Sequence, residues 1–354
     1  MTENSSSRET ATGKPASRLP GLKAVASTIL SVAVTFFGLL LVTFLIGRVI
    51  PIDPVLVVVG ERASPEIYAK AVKELGLDQP IYIQFLDYIG KVLTGDFGKS
   101  LLTARPVLED MARVFPATLE LATVATIFGV FLGIPAGVIA AVNQGRWPDH
   151  LIRLVALFGY SLPVFWLALI ALLVFYSELG WVAGFGRLDI FYEDIVPAVT
   201  GMILVDSLLA GDMEVFNNAV SHIILPSAVL GYFSLAYIAR MTRSFMLEQL
   251  RQEYVTTARV KGLSESRVIW YHALGNVMVP LITVVALSYA FLLEGSVLTE
   301  TVFAWPGLGF YITNSLLSAD LNAVLGGTIV VGAAFIGINL LSDLLYKLVD
   351  PRTH

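Results

Sequence analysis

Six stretches of this chain carry no formal charge over a length that can cross a bilayer: 24–46, 121–142, 154–177, 217–239, 273–293 and 321–342. About 20 apolar residues span the hydrocarbon core, and inside it only helices and closed barrels satisfy every backbone group. Pro135, Pro163 and Pro280 fall within these stretches. Membrane helices tolerate proline because neighbouring helices re-satisfy the freed carbonyls. Only 14% of the residues are charged, where a soluble domain carries about 25%. Mean hydropathy is +0.76. The fold class is therefore all-α: a polytopic membrane protein of six transmembrane helices.

The lysines and arginines orient the spans. Arg8, Lys14, Arg18 and Lys23 precede the first. Arg146 and Arg153 lie at 143–153, six basic residues (Arg240, Arg243, Arg251, Arg259, Lys261, Arg267) at 240–272, and Lys347 and Arg352 at the end. Segment 178–220 offers only Arg187 against seven acids, and 294–320 has no Lys or Arg. Segment 48–120 holds eight basic and ten acidic residues, but segments beyond about 60 residues translocate largely regardless of charge. Both termini are thus expected in the cytoplasm. The run 195–210 is apolar but short and carries Asp206. It is expected as a re-entrant or surface-lying helix in the outer loop 178–220. As a span it would turn the basic loop 240–272 outward.

The expected organisation runs as follows. Residues 1–23 are a disordered cytoplasmic tail, and 24–47 are an uncleaved first span, too long for the apolar core of a signal peptide. Residues 48–115 form an outer helical cap. Ser64, Pro65 and Glu66 read as a helix start, Gly76 as its end, and Ile81, Phe85, Tyr88 and Ile89 as one side of a second helix after Pro80. Residues 116–350 are a five-helix core, with a cytoplasmic loop at 240–276, and 351–354 are a tail. There is no cysteine, and the four histidines are scattered. No metal-ligand spacing is present.

The polar stretch 253–280 (EYVTTARVKGLSESRVIWYHALGNVMVP) stands between two spans. Met246, Leu250, Tyr254 and Ala258 recur every four residues, the spacing of one helix face. Lys261 falls in a last turn, Gly262 is placed to take positive φ after it, and Ser264 reads as the cap of a second short helix. Local physics alone leaves two readings: a handle for a partner, or a basic linker lying on anionic lipid. On the other side, Trp305-Pro306-Gly307 reads as a rigid turn, with Trp305 an interfacial anchor.

These features resemble a known family. Ala258, Gly262, and the Asn276 and Pro280 that follow resemble the cytoplasmic EAA-type loop of ATP-binding-cassette (ABC) importer permeases. The wider chain is similar to the first-permease type of the dipeptide/oligopeptide/nickel family. The supporting runs are 74–80 (ELGLDQP), 95–100 (GDFGKS), 105–107 (RPV), 116–121 (PATLEL), 161–166 (SLPVFW), 241–246 (MTRSFM), 300–309 (ETVFAWPGLG) and 343–351. With them go Glu253, Tyr254, Thr257, Ala258, Lys261, Gly262, His272 and Ala273. The likeness covers about 24–352. Two departures stand out. Thr256 and Thr257 replace the Glu-Ala of the strict loop, and Glu294 lies in an apolar run where the family usually has a small residue.

The resemblance implies a type I importer permease fold and a multi-pass protein of the cytoplasmic membrane of a prokaryote. Its implied partners are a second homologous permease, two cytoplasmic ATP-binding subunits and an extracytoplasmic solute-binding protein, within the lipid bilayer and without nucleic acid. It implies no catalytic residue, metal or cofactor on this chain. No phosphate-loop motif occurs in the sequence. The implied coupling residues are Glu253, Tyr254, Thr257, Ala258, Lys261, Gly262, Ser264, Arg267, His272, Asn276 and Pro280, with Tyr254 and Arg267 as anchors. Glu294 is a candidate for the solute path, and Glu300, Trp305, Pro306, Gly307 and Gly309 for a structural outer turn. The competing class is a secondary active transporter of small solutes. It would show inverted repeats and intramembrane charges, of which the sequence offers only Glu294. Dependence of uptake on ATP separates the two.

Overall fold

Long apolar runs with few breakers become long helices. The structure, a computed structural model, describes residues 22–49, 54–60, 63–74 and 76–349. The tails expected at 1–23 and 351–354 lie outside the described residues, except Leu22 and Lys23, which open the first helix. In chain order the helices are α1 (Leu22–Val49), α2 (Pro54–Val59), α3 (Pro65–Glu74), α4 (Ile81–Leu93), α5 (Val107–Val142), α6 (Trp147–Ser161), α7 (Val164–Ala171), α8 (Ile203–Ala210), α9 (Met213–Gln249), α10 (Glu253–Val260), α11 (Glu265–Arg267), α12 (Leu274–Val302), α13 (Leu308–Leu317) and α14 (Leu321–Val349). Two of them run on through π-helical turns: α7 through Leu172–Glu178, and α11 through Val268–Ala273 into α12.

Among the described residues, five helical stretches are long and apolar enough to cross a membrane, and α6 with α7 supplies a sixth, bent by 102° where Leu162 and Pro163 interrupt it. A bend that sharp suits either a broken span or a re-entrant loop. The contacts decide between them. The first turn of α6 is bonded through Asp149 to Arg243 near the end of α9. Beyond α7, Ala183 N–H donates to Ser221 O near the start of α9, and Gly186 N–H to Phe303 O past the end of α12. The pair therefore enters at one face of the bundle and leaves at the other. It is a broken crossing. By the same logic α1 and α14 run antiparallel, since Gly47 abuts Leu325 and Gly332 abuts Leu39. The start of α1 and the end of α14 both lie towards the face that carries 250–273.

The spine of the bundle is α5 against α9. Gly129, Gly133 and Gly137 recur every four residues on α5. A Cβ at Gly129 would overlap Ser234, one at Gly133 would stand 3.0 Å from Leu235 O, and one at Gly137 2.5 Å from Thr242 Cβ. Small residues at this spacing let membrane helices approach backbone to backbone, where dispersion replaces the absent hydrophobic drive. Ser234 then reaches Ser288 on α12, Oγ to Oγ at 2.8 Å, so two buried hydroxyls satisfy each other.

The segment between α1 and α5 folds back on α1 and α14. Phe85, Tyr88 and Ile89 of α4 pack on Leu40 and Ile329, and Thr43 bonds Tyr88 at 3.0 Å. Ile81, expected on the same side, is exposed instead. Asp320 pins this cap down. Buried at the start of α14, its carboxylate accepts from Ser100 Oγ (2.6 Å), Leu101 N (2.6 Å) and Ala323 N (3.2 Å). The apolar run 195–210 is helical only over the eight residues of α8, too short to cross. Asp206 inside it turns back to accept from Thr200 N and Gly201 N at 2.8 and 3.0 Å, and Leu204 N–H donates to Glu120 on α5. The segment lies on the end of the bundle.

Candidate functional site

Segment 250–273 joins α9 to α12. Gly262 takes φ +78°, and the two bonds of a Schellman turn close behind it: Gly262 N–H to Arg259 O at 2.9 Å and Leu263 N–H to Ala258 O at 3.2 Å. Leu263 meets the apolar side of α10, where Val255 and Ala258 are buried against Val268. Arg259 and Glu265 bridge the turn with two bonds of 2.8 and 3.2 Å. The unit is small and internally braced. Its outer surface is open: Val260 is 82% exposed and Tyr271 72%, beside exposed Glu253, Thr257, Lys261, Ser264 and Arg267. No atom stands within 4 Å of a Cβ built on Gly262.

Four expectations change here. Met246, Leu250, Tyr254 and Ala258 do not share a helix, because α9 stops at Gln249 and α10 starts at Glu253. Met246 belongs to the bundle core with Val138, Ile269 and Val277. Tyr254 and Ala258 belong to the elbow, and Tyr254 Oη bonds Gln249 at 3.0 Å. Tyr254 is thus engaged by its own chain, whereas Arg267 is exposed. Ser264 occupies the cap position but donates and accepts no side-chain cap bond. The second helix is also no separate element. From Glu265 it runs through the π-turn, which holds half-buried His272, into the span with exposed Asn276 and half-buried Pro280. Arg240 and Arg243, read as loop residues, sit in the last turns of α9.

At the other end of α12 the chain makes a knot. Trp305, expected as an interfacial anchor, is 0% exposed and donates its indole N–H to Ala117 O at 2.9 Å. Its large apolar body has more to gain inside the bundle, and the carbonyl of α5 satisfies its one donor. Glu300, equally buried, accepts from Thr118 Oγ1 (2.8 Å), Ser296 Oγ (3.0 Å) and Phe310 N (3.0 Å). The last of these places a carboxylate at the start of α13, where free N–H groups favour an anion. Thr118 Oγ1 also accepts from Leu308 N at 2.7 Å. Gly307 is needed for room rather than for positive φ. Its φ is −97°, and a Cβ there would stand 2.5 Å from the Glu300 carboxyl carbon. Gly309 is hemmed in likewise, by Val297 at 2.6 Å. Pro306 is exposed at the tip. Glu294, two turns back along α12, is exposed and faces away from its own bundle.

Residues 133–354 match the family described as binding-protein-dependent transport system inner membrane component, and residues 22–122 match the N-terminal membrane component model of the same systems. The chain belongs to the binding-protein-dependent transport permeases. Among curated relatives, the di/tripeptide transport system permease protein DppB of Pseudomonas aeruginosa is 48% identical over 90% of this chain and 94% of that protein. The probable D,D-dipeptide transport system permease protein DdpB of Escherichia coli is 46% identical over 89% and 92%. The dipeptide transport system permease protein DppB of Escherichia coli is 46% identical over 90% and 94%.

Besides the cluster at Asp320, the described residues of the permease hold three buried polar clusters that the sequence did not single out. Glu120, 3% exposed, meets Arg187, which lies between α7 and α8, at 2.5 Å, and that guanidinium lies 5.7 Å from the Trp305 ring centre. Asp110 accepts from Thr103 and from Tyr311 Oη. Burial pushes the Tyr311 phenol up to about 12, so it remains a donor at physiological pH. Asp149 and Arg243 form the third. For Glu120 and Asp149 the signal available was an acid just before an apolar run, which charge counting assigns to a loop.

Proposed function

We propose that this chain is the permease subunit of an ATP-driven importer of dipeptides and related short peptides. It shares the translocation path with a second homologous permease, receives solute from an extracytoplasmic binding protein, and meets two ATP-binding subunits at the cytoplasmic face of a prokaryotic membrane. The observation that carries this reading is the braced elbow. A Schellman turn with exposed Val260, Lys261, Arg267 and Tyr271 stands at one face of the bundle and is continuous with a full span. A displacement delivered there enters α12 directly. The dipeptide systems named for the relatives support the solute class. ATP hydrolysis belongs to the separate chains.

Reconstitution tests it. The chain alone in liposomes should neither hydrolyse ATP nor import peptide, and the ATP-binding subunits alone should not restore uptake. Adding those subunits, the second permease and the binding protein should. Uptake by the lone chain under a proton or sodium gradient would transfer it to the secondary transporters. Orientation is tested separately, because the chain has no cysteine of its own. A Cys at exposed Ser266 should resist impermeant thiol reagents in intact cells, and one at exposed Glu214 should react. We also assign exposed Glu294 to the solute path. Glu294→Gln should slow peptide uptake with assembly and basal ATP hydrolysis unchanged.

A further inference from the structure

We propose that Asp149 and Arg243 are positioning residues that clamp the stem of the elbow to α6, so that a pull on α10 moves the bundle and is not lost in the loop beside it. The inference rests on the importer reading above.

The geometry is specific. Asp149 is 1% exposed and Arg243 22%. Arg243 Nε donates to Oδ1 at 2.6 Å and the adjacent Nη2 to Oδ2 at 2.8 Å, the two-bond fork that fixes orientation as well as distance. The remaining capacity of Oδ2 takes the N–H of Gly145 at 2.9 Å, which locks the turn between α5 and α6 onto the same carboxylate. Asp149 also lies in the first turn of α6, where a negative charge is favoured. One side chain therefore gathers α5, α6 and α9 at one level. Further along, Tyr232 Oη donates to Val155 O at 2.5 Å and Gly159 meets Ala236. The seam between α6 and α9 thus continues from the clamp to the break at Leu162.

The position gives the pair its role. Arg243 lies on the last turns of α9, just before the helix stops at Gln249 and the chain changes direction into α10. Helix breaks yield under load. Without a fixed stem, motion of α10 would be taken up at 250–252. Met246, one turn further on, is buried with Val138, Ile269 and Val277 and holds the stem from its apolar side. Packing of that kind resists separation but permits sliding and rotation. The fork supplies the direction.

A purely structural ion pair and a clamp predict different things. Buried pairs can often be replaced by well-packed apolar residues without loss of stability. The test uses the complete complex in proteoliposomes, measuring peptide imported and ATP hydrolysed per assembled complex. Asp149→Asn and Arg243→Gln should each lower peptide imported per ATP roughly tenfold, within the usual range of coupling between linked sites. The double variant should be no worse than either single one, since both remove the same link. Arg243→Lys, which keeps the charge but not the fork, should recover part of the ratio. The apolar pair Asp149→Leu/Arg243→Met guards against misfolding. It should assemble normally and still import poorly per ATP. A wild-type ratio in that apolar pair, or single variants whose uptake falls only with the amount of complex, would overturn the clamp. Failure of the unaltered complex to import peptide would instead overturn the importer reading.

Discussion

At its far end, α12 is tied into the molecule by side-chain bonds that cross 182, 188 and 190 residues of sequence, from Glu300, Trp305 and Leu308 to a single turn of α5. At its near end, the elbow's own side-chain bonds cross four, five and six residues, in Thr257, Tyr254 and Arg259. The far knot is buried and the elbow is open. Long-range buried bonds fix where a helix end sits in the whole fold. Short-range exposed ones fix only the shape of a local piece. The permease thus ties one end of α12 into the fold by long-range polar bonds, and leaves the elbow before the other end shaped but available.

The two ends should fail differently when damaged. Trp305→Ala should have the largest effect, about 3–5 kcal/mol from a lost buried aromatic body. It should appear as a lower melting temperature and less assembled complex, with an unchanged profile of competing peptides. A changed profile at normal assembly would make the knot part of the solute site. Glu300→Ala should follow, at roughly 2–3 kcal/mol, because Thr118, Ser296 and Phe310 lose a buried acceptor. Detergent-phase thermal unfolding reads it directly. At the elbow, Gly262→Val forces a β-branched residue to φ +78°, although its Cβ meets no atom within 4 Å. Its cost should stay local, about 1–3 kcal/mol of strain, with the bundle's melting temperature unmoved and ATP-driven uptake lost. Normal uptake in that variant would break the comparison. The smallest stability effect belongs to Val260→Ser with Tyr271→Ala, within about 0.5 kcal/mol for exposed positions. Co-purification of the ATP-binding subunits should nevertheless weaken.

Hydropathy made the spans legible, since each is a run of apolar residues whose length the bilayer dictates. Gly262 was legible for a similar reason: a turn residue after a basic last turn has few other roles. What stayed hidden depended on tertiary neighbours. Trp305 carries the composition of an interfacial anchor, and only the carbonyl of Ala117 beside it makes burial favourable. The period of four through Met246 and Ala258 fits a helix as well as two helices, because the break at 250–252 contains no proline or glycine to announce it. Gly307 reads as a flexible turn until the Glu300 carboxylate is found in the space its side chain would fill. Arg243 reads as a loop charge and Asp149 draws no notice, because nothing in the sequence pairs residues 94 apart.

The glycine seam between α5 and α9 has a geometric consequence. The two helices have 36 and 37 residues, or about 55 Å each at 1.5 Å per residue. The hydrocarbon core is about 30 Å thick. With no side chain between them at Gly129, Gly133 and Gly137, the paired helices can tilt together as one rod, longer than the hydrocarbon core is thick. For a rod of that length, a tilt of roughly 10° swings one end about 9 Å relative to the other. A small angular change can therefore become a displacement as wide as a dipeptide is long, with every contact inside the seam intact.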